Sequence, residues 1–158
     1  MSELLLRGWN VAVPVVDIGD DVLIIDDNEK TTFRLQVKST ELRSESERAS
    51  FGLSRRQLRD AAPQIELIYM LLVRLPGCWI FYVIPRADLD GIHRSYLEGD
   101  HSGPGRRPVR DGEAKSDKLA LEIDSGTDKA WRESLADYRD AWPDELRELS
   151  GGPGTRMP

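Results

Sequence analysis

From Thr31 to Ser39 the chain alternates: Phe33, Leu35 and Val37 are apolar, and Arg34, Gln36 and Lys38 between them are polar. Period two predicts a strand with one face in a core and the other face aligning an amide with an ammonium group. Val22-Leu23-Ile24-Ile25 is a short apolar run of strand type, and the turn-rich stretch Asp26-Asp27-Asn28-Glu29-Lys30 predicts a hairpin between the two. Antiparallel pairing then brings Asp21, at the start of the first strand, beside Gln36 and Lys38, at the end of the second.

Upstream, Ser2–Arg7 predicts a short helix ended by Gly8, Trp9–Val13 a strand with Pro14 at its end, and Val15–Asp20 a loop. Thr40–Ser50 is polar and charged and predicts an exposed loop. Ser54 is placed to cap a helix over Arg55–Ala62, with Arg55, Arg56 and Arg59 close together on it. Ile65–Leu75 and Cys78–Ile84 flank the turn dipeptide Pro76-Gly77 and read as a hairpin of buried strands, although length alone also allows a helix for the first arm. Cys78 is then a buried thiol, and Trp79, Phe81 and Tyr82 are core. Ala87–Leu97 predicts a helix after Pro85. Gly99–Asp117 predicts a mobile loop bearing Arg106, Arg107 and Arg110, and Lys118–Ile123 a last strand. Asp128–Trp142 predicts an amphipathic helix with Trp131, Leu135, Tyr138 and Trp142 on one side, for core packing or a homodimer surface. Pro143–Leu149 adds a short helical piece. One domain is expected over residues 1–150, with a flexible tail over 151–158.

A chain of 158 residues with 39% hydrophobic and 32% charged residues is expected to be a soluble globular domain with a real core. No apolar run is long enough to span a bilayer and no apolar leader opens the chain, so a cytoplasmic protein without membrane contact is expected. One cysteine excludes an internal disulfide and a cysteine metal cluster, and His93 and His101 have no third ligand at metal spacing. The net charge of −6 argues against nonspecific coating of nucleic acid. Its distribution matters more: from Lys30 to Asp60, eight bases stand against four acids. This local excess begins at the hairpin and permits DNA binding through Arg55, Arg56 and Arg59, with Arg106 and Arg107 as further phosphate contacts.

Phosphodiester hydrolysis needs a cation to offset phosphate charge and an activated water, and Mg²⁺ accepts a sparse set of oxygen ligands while keeping several waters. Asp21, the Gln36 side-chain oxygen and the Val37 carbonyl are the candidate metal ligands. Lys38 is the candidate to position or deprotonate the water and to steady developing charge. The same spacing also fits a hairpin with a solvated polar face.

The run Leu4-Leu5-Leu6-Arg7-Gly8-Trp9-Asn10-Val11, then Pro14, Asp17-Ile18-Gly19-Asp20-Asp21-Val22-Leu23-Ile24, then Gln36-Val37-Lys38-Ser39, resembles the PD-(D/E)xK nuclease superfamily. What matches is the order helix, strand, Asp-led strand, (D/E)xK strand, over roughly the first forty residues. The resemblance implies a restriction-endonuclease-like α/β fold, a mixed central sheet flanked by helices, and a metal-dependent endonuclease using Mg²⁺ or Mn²⁺ on DNA. It makes Asp21 the metal-binding aspartate and Lys38 the catalytic lysine. Gln36 stands where most members have an acid, a form resembling the Mrr-type branch. Glu3, the only carboxylate on the short first helix, stands in for a helix-borne glutamate of many members. The alternative is a noncatalytic member of the fold that binds nucleic acid or a protein.

Overall fold

Period two in Thr31–Glu41 sets the plan of the fold, because this strand's two faces meet different layers. The computed structural model describes residues 2–6, 9–15, 21–26, 31–44, 47–60, 65–99 and 117–141. In chain order these contain helix α1 (Ser2–Leu6) and strands β1 (Asn10–Ala12), β2 (Val22–Asp26), β3 (Thr31–Glu41) and β4 (Arg48–Ser54). Helix α2 (Arg55–Leu58), β5 (Leu67–Leu75), β6 (Cys78–Pro85) and helix α3 (Arg86–Glu98) follow, then β7 (Lys118–Asp124), β8 (Lys129–Ala130) and β9 (Glu133–Ser134).

The main sheet has the order β1-β2-β3-β5-β6. Strands β1, β2 and β3 form an antiparallel meander with Val22 opposite Leu35. β5 runs parallel to β3, with Gln36 opposite Tyr69 and Lys38 opposite Leu71. β6 returns antiparallel through Pro76-Gly77, where Gly77 takes φ +91°, a value that suits glycine. One face packs Val22, Ile24, Phe33, Leu35, Ile68, Met70 and Val83 with Leu4 of α1 and Trp9. The other packs the alternate residues of β5 and β6 against a second, antiparallel sheet of order β4-β7-β8-β9, with Leu58 and Leu89 from α2 and α3.

The mixed α/β sheet expected from the sequence is present. Its flanking layers differ, since a second sheet takes much of the place expected for helices. Thr40–Ser50, read as a loop, instead extends β3 to Glu41 and opens β4, whose Ala49, Phe51 and Leu53 are buried in alternation. α2 ends at Leu58 rather than Ala62. The helix expected over Asp128–Trp142 does not form at residues 128–140. Asp128, Trp131, Arg132 and Asp140 have positive φ, which breaks helical winding, and two short strands and a 3-10 turn at Ala136–Tyr138 stand there instead. Tertiary partners decide this: Arg139 grips Asp128 through both carboxylate oxygens at 3.1 Å, and Tyr82 donates its hydroxyl to the same carboxylate. Trp131, Leu135 and Tyr138 still reach the core. Cys78 is exposed and Trp79 is 49% exposed, because the β5–β6 turn lies at a rim of the sheet rather than under a layer. Among the described residues no helix is long and apolar enough to cross a membrane. Arg106, Arg107, Arg110 and the segment from Trp142 onward lie outside the described residues.

α3 turns three polar residues inward, Arg86, Asp90 and His93, beside Leu89. Arg86 Nη1 donates to the Leu58 carbonyl at 3.2 Å, and Asp90 pairs with Arg94 at 2.7 Å. His93 packs against Trp131 with ring centroids 4.6 Å apart and the ring planes tilted by 46°. Burial lowers its pKa from the ordinary 6.5, Arg59 and Arg55 lower it further, and Asp90 opposes them. The fold therefore binds fewer protons than the unfolded chain below that pH. The His93 contribution to stability is complete above 6.5 and is lost as pH falls toward the depressed folded value. Thermal melts between about pH 7.5 and about pH 5 should show a loss of stability that His93→Phe, which keeps a ring against Trp131, reduces. An identical pH slope in the variant would contradict this assignment.

Candidate active site

Asp21 precedes β2, and its N–H donates to the Leu35 carbonyl at 2.9 Å, so the hairpin register continues one residue past the strand. With Val22 opposite Leu35, Asp21 shares the face of Gln36. Its Oδ2 accepts from Gln36 Nε2 at 2.5 Å and from the Val37 N–H at 2.7 Å. Asp21 is exposed while Gln36 is buried, so the carboxylate sits at the mouth of the site and the amide inside it. Convergence of Asp21 and Gln36 is what the alternation predicts; the amide turns its NH₂ to the carboxylate. A glutamate at position 36 would repel Asp21 in this arrangement, whereas the amide closes the pair without a cation.

The remaining donors are oxygens: the second carboxylate oxygen of Asp21, Gln36 Oε1 and the Val37 carbonyl, which projects to the same side of β3 as the Val37 N–H that meets Asp21. Among the described residues no three His, Cys, Asp or Glu side chains come together. An oxygen-only set with one negative charge suits a hard divalent cation that keeps most of its water, and suits zinc poorly. α1 covers the opposite face of the sheet through Leu4, and the Glu3 side chain lies outside the described residues.

Gln36 and Lys38 open into a cleft of about 810 Å³ that Arg34 also lines, on the same face of β3. Its opposite wall is the end of β4 and α2, with Arg56, Gln57 and Arg59. Four basic side chains, Arg34, Lys38, Arg56 and Arg59, line it against two acidic ones, Asp60 and Asp117, a local positive excess in an acidic chain. Ser54 caps α2 by accepting from Gln57 N at 3.2 Å. Asp117 clamps the same turn: its Oδ2 accepts from Ser54 Oγ at 2.6 Å and its Oδ1 from Arg56 N at 2.9 Å. The Ser54 hydroxyl first, and then the Arg56 N–H, hold the Asp117 pKa below the usual carboxylate range. The chain's entry into β7 thereby fixes the wall that carries the arginines.

Tyr69, opposite Gln36 on β5, lines the floor and is fully buried. Its hydroxyl has no hydrogen-bond partner among the described residues. Burial raises its pKa well above the phenolic range, against the opposing charges of Arg86 and Arg34, so it is a neutral donor. Arg55 is half-buried and does not line the cleft, lying instead close enough to His93 to depress its protonation. Arg34, Tyr69 and Asp117 escape sequence reading. Arg34 had a signal, two residues before Gln36 on the same face; the other two depend on pairings between distant strands.

Compared with protein-family models, curated proteins and solved structures, the chain matches none.

Two substitutions probe this geometry. Tyr69→Phe should raise unfolding free energy by about 1 kcal/mol, since it removes a buried hydroxyl without a partner; a loss of stability in denaturant melts would mean that the hydroxyl is satisfied. Gln36→Glu should lower the melting temperature in chelator and recover it in Mg²⁺ or Mn²⁺, since a cation relieves the two facing carboxylates. Equal melting with and without the cation would contradict that arrangement.

Proposed function

We propose that this protein is a metal-dependent nuclease of the PD-(D/E)xK kind, hydrolysing DNA phosphodiester bonds in the cleft beside β3. The observation that carries this reading is the joint placement of Asp21 on Gln36 and the Val37 N–H, with Lys38 two residues on along the same face at a cationic cleft. The element order supports the restriction-endonuclease-like assignment: a helix, a strand, an Asp-led strand, then the Gln-Val-Lys strand, within a mixed sheet.

Asp21, Gln36 and Val37 would hold Mg²⁺ or Mn²⁺, which when bound offsets phosphate charge and acidifies a water. Lys38 would hold the attacking water and donate to the phosphate oxygens as negative charge grows on them. Arg56 and Arg59 face β3 across the cleft and would hold the strand's backbone, a task suited to the fork of the guanidinium group. Tyr69 would donate its hydroxyl from the floor to a group the substrate brings in.

The second reading, a noncatalytic DNA-binding member of the same fold, is favoured by one observation: Gln36 closes Asp21 by a direct hydrogen bond, without a cation. The two separate cleanly. A nuclease requires that Asp21→Ala and Lys38→Ala each lower Mg²⁺- or Mn²⁺-dependent cleavage by about two to three orders of magnitude, with melting temperatures near wild type. Salt-dependent DNA binding without cleavage would move the assignment to the second reading, and unaltered cleavage by Lys38→Ala would refute the chemistry. For Arg56→Ala and Arg59→Ala, the slope of log K against log salt on duplex DNA should fall by about one unit for each arginine that no longer reaches a phosphate. An unchanged slope in the double variant would remove this wall from the interface.

A further inference from the structure

Burial gives the cationic cleft an order of depth. Arg56 and Arg59 are exposed at its mouth, Arg34 and Lys38 are half-buried on the β3 wall, and Gln36 and Tyr69 are buried at its floor. The two walls belong to different sheets, since β3 lies in the main sheet and Leu53 and Ser54 end β4 in the second. Both are tied down. Arg34 Nε donates to the Ile65 carbonyl at 3.1 Å, and Arg55 N donates to the Asp117 carbonyl at 2.7 Å beside the Ser54–Asp117 clamp on α2.

That geometry limits what can enter. Packed sheets lie about 10 Å apart face to face, whereas the major groove of a B-form duplex is by itself about 12 Å wide. A volume of about 810 Å³ falls in the range of small-ligand sites, roughly 300–1,000 Å³, rather than describing a surface over which a double helix is laid. A duplex can rest its backbone on Arg56 and Arg59 at the mouth. A phosphate reaches Lys38 only on a strand that has left its partner, and such a strand has a flexible backbone that a basic groove can track. The floor favours the same guest. Tyr69 is fully buried opposite Gln36, and its hydroxyl has no hydrogen-bond partner among the described residues. The cations take phosphate oxygens, which leaves this neutral donor for an uncharged acceptor. An unpaired strand brings base carbonyls whose pairing edges are free.

We propose that the cleft is a single-strand site: one unpaired DNA strand enters between β3 and α2, with its phosphates on Arg34, Lys38, Arg56 and Arg59 and a base carbonyl on the Tyr69 hydroxyl. Duplex DNA must then fray, or end in a tail, before it reaches Lys38. This deepens the reading of the cleft as a DNA site and rests on it, without requiring that the bound strand be cut.

Fluorescence anisotropy on the full chain in chelator, where no cation supports hydrolysis, tests this with a labelled thymidine oligomer, a blunt duplex of the same length, and that duplex carrying a single-stranded thymidine tail. The oligomer and the tailed duplex should bind about tenfold tighter than the blunt duplex, because Arg34 and Lys38 then add to the arginines of the mouth. Tyr69→Phe should weaken binding of the oligomer by roughly three- to tenfold, the range of one hydrogen bond, and leave the blunt duplex unchanged. The variant keeps the fold, since it removes a hydroxyl without a partner among the described residues. A blunt duplex bound as tightly as the oligomer, or a Tyr69→Phe variant that weakens both probes equally or neither, would overturn the single-strand site and leave the DNA reading in place. Binding of none of the probes would overturn both.

Discussion

Everything at the candidate site depends on the register between β2 and β3. A strand has two faces, so a slip of one residue would carry Asp21 to the side of Phe33 and Leu35 and leave Gln36 and Lys38 without it. What prevents the slip is apolar. Val22 and Ile24 must stay on the face of Phe33 and Leu35, and all four are buried in one cluster with Leu4 and Trp9. At about 1.5–3 kcal/mol for each large side chain fully buried, misregistration would forfeit more than the polar end could return. The core on one face of the hairpin thereby fixes the polar geometry on the other.

A second constraint is electrostatic. The cleft gathers Arg34, Lys38, Arg56 and Arg59 in a protein of net charge −6, and the two walls belong to different sheets. Asp117 caps α2 through backbone and side chain, so the wall that carries Arg56 and Arg59 is held by the start of β7. At the other wall, the Gln36 amide gives Asp21 a neutral partner that donates to its carboxylate.

Local signals were legible. Alternation in β3, the Pro76-Gly77 turn, the Ser54 cap and the extent of α3 follow from residues a few positions apart, and the structure carries all four. The Asp21–Gln36 contact was legible for the same reason, since a short hairpin leaves few registers. The Asp128–Trp142 stripe misled because apolar spacing records which residues reach a core and is silent about the winding between them; Asp128 finds Arg139 and Tyr82 instead of helical neighbours. β4 was hidden because Ala49, Phe51 and Leu53 alternate among Ser, Gly and Arg, and their strand partner begins at Lys118. Tyr69 is invisible for a related reason, since its place opposite Gln36 comes from parallel pairing across the intervening β4 and α2.

The central claim is that the oxygens around Asp21, Gln36 and Val37 form a divalent-cation site at the head of the cleft. A titration with Mg²⁺ followed by nuclear magnetic resonance reads it directly, because the Val37 amide and the Gln36 side-chain NH₂ both donate to Asp21. The account predicts saturable shifts of these two signals, centred on the end of the β2–β3 hairpin and absent in Asp21→Asn. Resonances that stay in place as Mg²⁺ is raised, or that move equally in Asp21→Asn, would contradict it.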